Sequence, residues 1–205
     1  MPRALRKEKL VETAERLQGR IEDRFPKSGL GKIAVEVVDV CKEAVERAEK
    51  IRRPDLLLRA GLVVIALTAI GGIVAYLNAQ EDQVSAILKV VGFLQEFSGA
   101  AAFLAAAALF LVTLEGRIKR QRALQAIHEL RAIAHLVDMH QLTKDPDRLG
   151  RQSIDVAGQN LDAFTMGRYL AYCTELLALL SKIAQIYVQD FPDGTAMAAV
   201  DQFEN

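Results

Sequence analysis

The stretch AGLVVIALTAIGGIVAYL, Ala60 to Leu77, decides the fold, because it holds no Asp, Glu, Lys, Arg or His in an otherwise charged chain of 205 residues. A second run, SGAAAFLAAAALFLVTL from Ser98 to Leu114, meets the same condition. At about 1.5 Å per residue the first covers roughly 27 Å and the second slightly less, near the lower limit for a hydrocarbon core of about 30 Å. Leu56, Leu57 and Leu58 add an apolar turn, and Arg59 can snorkel toward phosphate, so the working span is Leu56 to Leu77. A buried hairpin in a soluble helical protein would need a larger polar shell than this chain offers. The expected class is an all-α integral membrane protein, a two-span transmembrane hairpin with a cytoplasmic helical bundle or coiled-coil-like region.

Charge supports that division. Lys plus Arg and Asp plus Glu each number 26, for a formal net charge of zero. No single-sign face of the kind a nucleic-acid binder concentrates is visible, so nucleic acid is not expected as a partner. Lys50, Arg52, Arg53 and Arg59 precede the first span, Arg117, Lys119, Arg120 and Arg122 follow the second, and the connection carries Glu81, Asp82, Lys89 and Glu96. The positive-inside rule then places both termini in the cytoplasm and the connection outside. The first 27 residues lack an apolar core, so the first span is expected to act as the insertion signal. Three regions follow: 1–53 with cytoplasmic amphipathic helices, 54–116 with the hairpin and its short external connection, and 117–205 with a cytoplasmic helical region.

Periodicity predicts helices throughout. Leu10, Ala14, Leu17 and Ile21 form one stripe before a break from Phe25 to Gly31 that holds Pro26, Gly29 and Gly31. A second helix is expected from about Leu30 to Ile51, where Val37, Cys41, Ala44, Ala48 and Ile51 follow heptad steps compatible with pairing inside the chain or across an oligomer. Pro54 suits the first turn of the membrane helix. Val84, Ile87, Leu88, Val91 and Leu94 read as an interfacial helix or as an extension of the second span. No proline interrupts the chain from there to Pro146, so the span is expected to continue to about Thr143. A surface connection from Pro146 to Gly158 and a last helix from Asn160 to Gln189, stopped by Phe191 and Pro192, complete the reading. Cys41 and Cys173 are isolated and fit helix interiors rather than a disulfide or metal site.

Small residues mark the spans. Thr68 with Gly72 and Gly71 with Ala75 are four apart, and Gly99, Ala101 and Ala105 begin a face with little side-chain volume, a pattern that favours close helix packing in the hairpin or between subunits. Neither span carries an ionisable group for ion or proton transfer, which disfavours a transporter made by this chain alone.

The chemistry-bearing residues lie beyond the spans. His128, Arg131, His135 and Asp138 fall on one helical face, and Arg168, Tyr172, Glu175 and Lys182 interrupt the apolar pattern of the last helix. Packed together, they are expected to form a buried polar network whose members satisfy one another. His135, Asp138 and Glu175 are the alternative divalent-metal ligands, although Arg131 would repel the ion and no HExxH or Glu-x-x-His pair is present. Arg131 with the histidines is the corresponding anion reading. No resident cofactor is otherwise expected. Ser153 lacks a GxSxG setting, and Gly29 and Gly31 lack the GxxxxGK[ST] pattern, so hydrolase and nucleotide-binding readings find no support. The expected function is a noncatalytic membrane scaffold or accessory subunit that contacts lipid and self-associates or binds another membrane protein. A homo-oligomeric pore and a membrane-proximal metal- or anion-binding protein are the alternatives. The acidic end, with Asp190, Asp193, Asp201 and Glu204, is read as a partner-facing surface.

Overall fold

A computed structural model describes residues 6–79, 86–142, 155–156, 159–160 and 162–204. The protein is all-helical apart from one two-residue antiparallel pairing: α1 (Lys7–Arg24), α2 (Gly29–Arg52), α3 (Leu56–Ala79), α4 (Ala86–Leu142), β1 (Asp155–Val156), β2 (Gln159–Asn160), α5 (Ala163–Gln189) and α6 (Gly194–Glu204). The expected outer connection and most of the connection between 146 and 158 lie outside the described residues. Of the two readings for the segment after it, α4 favours the extension, since it is continuous from Ala86 through Leu142. The chain divides into two units, one joining residues up to Arg53 with those from Arg120 onward, the other being Pro54–Lys119.

The first unit closes its own core. Leu10, Ala14, Leu17 and Ile21 of α1 and the heptad stripe of α2 are buried, packed against each other and against Leu176, Leu180 and Ile183 of α5. The α2 stripe therefore finds its partners within the chain. From α4 come Ala123, Ala126, Ile127, Leu130, Ile133 and Val137, spaced to keep one face inward. Phe25 stacks edge-on against Tyr169 and Tyr172, with centroids 5.3 and 6.2 Å away, and such aromatic pairs add about 0.5–1.5 kcal/mol beyond their burial.

The turn between α1 and α2 is shorter than its glycines suggested. Lys27, with φ of 58°, takes the left-handed position, and its N–H donates to the Glu22 carboxylate at 3.2 Å. Ser28 caps α2 by accepting from the Gly31 N–H at 3.0 Å. Gly29 belongs to the first turn of α2, where a Cβ would lie 2.7 Å from Nε2 of His140 on α4. The glycine lets the His140 ring approach the α2 backbone closely.

The second unit is different in kind. α3 and the apolar part of α4 are long and apolar enough to cross a membrane, and none of either apolar window is buried by the rest of the protein. Large side chains point outward on every side, among them Leu57, Leu67 and Phe103 at 82, 63 and 74% exposure. A helix apolar all round is a core helix or a membrane span, and among the described residues nothing covers these two windows. The two helices meet near their ends. Leu111 Cδ1 lies 3.2 Å from the Cβ position of Gly61, and the Tyr76 hydroxyl lies 2.7 Å from that of Gly92. Beside the first contact, Glu115 accepts from the Asp55 N–H at 3.4 Å and pairs with Lys119 at 2.8 Å.

Candidate functional site

Two concave sites carry the residues that the sequence singles out. The first lies between α3 and α4, a groove of about 460 Å³. Thr68 and Gly72 line it from α3, Ala101 and Ala105 from α4. The hairpin does not close over these small residues. Its end contacts are made through Leu111 and Tyr76, which leave a gap where Ala and Gly face each other. Gly71, Gly72 and Gly99 have no atom within 4 Å of a notional Cβ, and Gly71, Ala75 and Gly99 stand exposed away from the groove lining. Among the described residues nothing packs closely on Gly71, Gly72 or Gly99, whereas Gly61 and Gly92, the latter read from the sequence as a possible bend, are met by the tips of Leu111 and Tyr76. Thr68 contributes no polarity, because its hydroxyl donates to the Val64 carbonyl at 2.9 Å in its own helix.

The second site is a cavity of about 560 Å³ between α4, α5 and α6, with Arg131, His135 and Asp138 on one wall. Three members of the predicted polar stripe thus share one cavity. The rest of the network does not form. His128 is exposed and makes no hydrogen bond or ion pair among the described residues. Glu175 pairs with Arg20 of α1 instead. Tyr172 is buried against Phe25, with the guanidinium groups of Arg20 and Arg168 5.7 and 5.3 Å from its ring centroid. Lys182 is exposed. The physical reason is a competing stripe on α4: Ala123, Ile127, Leu130 and Val137 bury apolar area against the core, which turns the polar face to the rim. Among the described residues Ser28 is the one buried polar side chain.

The metal triad fails for the same reason. With Glu175 turned toward Arg20, the three ligands His135, Asp138 and Glu175 do not assemble, and no group of three His, Cys, Asp or Glu suited to a metal occurs among the described residues. The cavity instead mixes one cation, a histidine and a carboxylate with the polar groups of Thr174, Ser181 and Gln202. Arg131 donates to the Ala199 carbonyl of α6 at 3.4 Å. His135 and Asp138 make no hydrogen bond or ion pair among the described residues. The Thr174 hydroxyl donates to the Leu170 carbonyl at 3.2 Å, and Cys173, on the buried face of α5, has its thiol pushed up to about 11 by burial.

Helix α6 is the element that the sequence reading lacked. Its signal was present: Asp193 before Gly194 and Thr195 is an N-cap ahead of an apolar run. Asp193 Oδ1 accepts from the N–H groups of Thr195 and Ala196, each at 3.1 Å. Its Oδ2 accepts from Arg120 Nε at 2.8 Å, and the guanidinium and the capping N–H groups hold the carboxyl below its usual range. Asp190 pairs with Lys7 at 3.2 Å. Three of the four acidic groups assigned to a partner-facing surface, Asp190, Asp193 and Asp201, therefore interact within the chain.

Comparison with known proteins adds no family to this description: no family model matches the chain, and no curated protein or solved structure is significantly similar to it. The class that the fold defines is an all-helical protein with two helices of membrane-spanning length.

Proposed function

We propose that this protein is a noncatalytic, two-span membrane scaffold whose hairpin receives an apolar transmembrane helix in the groove between α3 and α4. The groove is the observation that carries the reading. In lipid, helix association relies on van der Waals packing, and a gap walled by Ala, Gly and Thr lets another backbone approach closely. The same hairpin offers a complementary ridge. Val63, Leu67, Ile70 and Val74 are exposed and follow steps of four, three and four along α3, so a second copy supplies side chains of the right kind to fill the groove. Both termini are assigned to the cytoplasm by the basic flanks. The first unit, with its core already closed, would stand there as a binding platform.

The pore reading gains nothing comparable, since the described groove lining is apolar and its one hydroxyl is bonded within its helix. Disulfide trapping tests the proposal. Cys41 and Cys173 are fully buried, with thiols pushed up to about 11 by burial, and do not compete at neutral pH. Chains carrying Ala105→Cys, mixed in native membranes with chains carrying Leu67→Cys, are expected to cross-link on mild oxidation. A product of twice the chain mass supports self-association, and an adduct of another mass supports an accessory subunit. Monomer alone at both positions refutes the scaffold reading.

A further inference from the structure

Eight cations flank the apolar hairpin in sequence, and the structure divides them into two sets. Arg52 pairs with Glu49 at 3.6 Å, Arg59 with Glu115 at 4.0 Å, Lys119 with Glu115 at 2.8 Å and Arg120 with Asp193 at 2.7 Å. The side chains of Lys50, Arg53, Arg117 and Arg122 have no ion pair or hydrogen bond among the described residues. Two of the unpaired set converge. Lys50 from the last turn of α2 and Arg122 from α4 line one cavity of about 440 Å³, together with Arg47, Ile51, Ala126 and Glu129.

The charges in this cavity do not cancel. Glu129 is the one carboxylate of the lining, and it is already engaged by Arg47 and by the Gln125 side-chain amide at 3.5 Å. Arg47 in turn holds Glu43 at 2.8 Å. Lys50 and Arg122 are left with no counter-charge, above a floor where Ile51 and Ala126 are buried and apolar. Two cations beside an apolar floor fit an amphiphile whose anionic group carries several acceptor oxygens. Chain order supplies the location: α2 ends just before Pro54 and the apolar helix α3, and Arg122 follows the apolar run of α4 by two turns.

We propose that this cavity binds a phosphate group, presented by an anionic phospholipid, with Lys50 and Arg122 donating to the phosphate oxygens and the glycerol end lying on Ile51 and Ala126. The lipid as source rests on the membrane reading of the hairpin; recognition of the phosphate does not. Each direct charge-assisted contact to the phosphate contributes on the order of ten-fold, so losing both predicts roughly hundred-fold weaker retention.

The test uses full-length protein in nanodiscs of phosphatidylcholine doped with phosphatidic acid. Entry into the disc reports the membrane reading, and the lipids retained on release, counted by native mass spectrometry, report the site. Wild type is expected to keep phosphatidic acid over phosphatidylcholine, and Lys50→Gln/Arg122→Gln to lose that preference with an unchanged melting curve. Arg53→Gln/Arg117→Gln, equal in charge change but outside the cavity, is expected to keep it. If millimolar inorganic phosphate displaces the retained lipid from wild type, a soluble phosphate is the source; indifference to it assigns the lipid. Equal retention by wild type and Lys50→Gln/Arg122→Gln, or equal loss in both double variants, overturns the site.

Discussion

Asp193 fastens α6, and α6 closes the cavity that holds Arg131, His135 and Asp138, so removing this one carboxylate is expected to open the site without unfolding the protein. An isolated helix as short as α6 is marginal in water, and its burial rests on Ala196, Val200 and the half-buried Phe203. Asp193→Ala removes an N-cap, at a cost of about 1 kcal/mol. It also removes the Arg120 pair. Asp193 is 12% exposed but Arg120 is 44% exposed, which limits the pair to about 0.5–1 kcal/mol. Together these give about 1.5–2 kcal/mol, or roughly 10- to 30-fold faster amide exchange in α6. Asp193→Ser, which keeps a capping acceptor, should accelerate exchange only about two- to five-fold. The pH dependence has a defined sign. The carboxyl is held below its ordinary value of 3.8 in the fold, so its contribution is complete above that value and is lost as pH falls through the depressed one. The difference between wild type and Asp193→Asn should therefore shrink in acid. Hydrogen exchange with mass spectrometry across 194–204 reads all of this. Unchanged α6 exchange in Asp193→Ala, or strict additivity of Asp193→Ala with Arg120→Ala, would refute the reasoning.

Leu180→Ala, at a position with no exposure in the centre of α5, should cost about 2–5 kcal/mol, read as a fall in the thermal midpoint by circular dichroism; a loss below 1 kcal/mol would contradict the packing. Lys27→Gly should stabilise by about 0.5 kcal/mol, since relief of roughly 1–2 kcal/mol of left-handed strain exceeds the entropy cost of glycine in the unfolded chain; a net loss in the same assay would mean that Lys27 does more than turn the chain. Cys41 and Cys173 should resist maleimide at neutral pH until the first unit unfolds, because burial excludes the reagent and pushes both thiols up to about 11. Labelling at the rate of an exposed thiol would show that the core opens.

The amino-acid sequence alone determined the helical class, the two apolar helices and the inward stripes of α1 and α2. Each depends on local periodicity or on an uninterrupted apolar run, and one chain segment contains the whole signal. It also placed Arg131, His135 and Asp138 on one face of α4, because three- and four-residue steps are intrinsic to the helix. What those faces meet was decided elsewhere. The heptad stripe of α2 was equally suited to a second copy, and only packing against α1 and α5 showed that it is filled from within the chain. Two overlapping stripes on α4 competed for the core, and burial of Ile127, Leu130 and Val137 sent the polar one to a cavity rim, out of reach of Glu175, which Arg20 had taken. The wide gap between α3 and α4, and the shared cavity of Lys50 and Arg122, are likewise tertiary results. Small-residue spacing and basic flanks state which groups are available, whereas the distances between helices far apart in sequence select the few that converge.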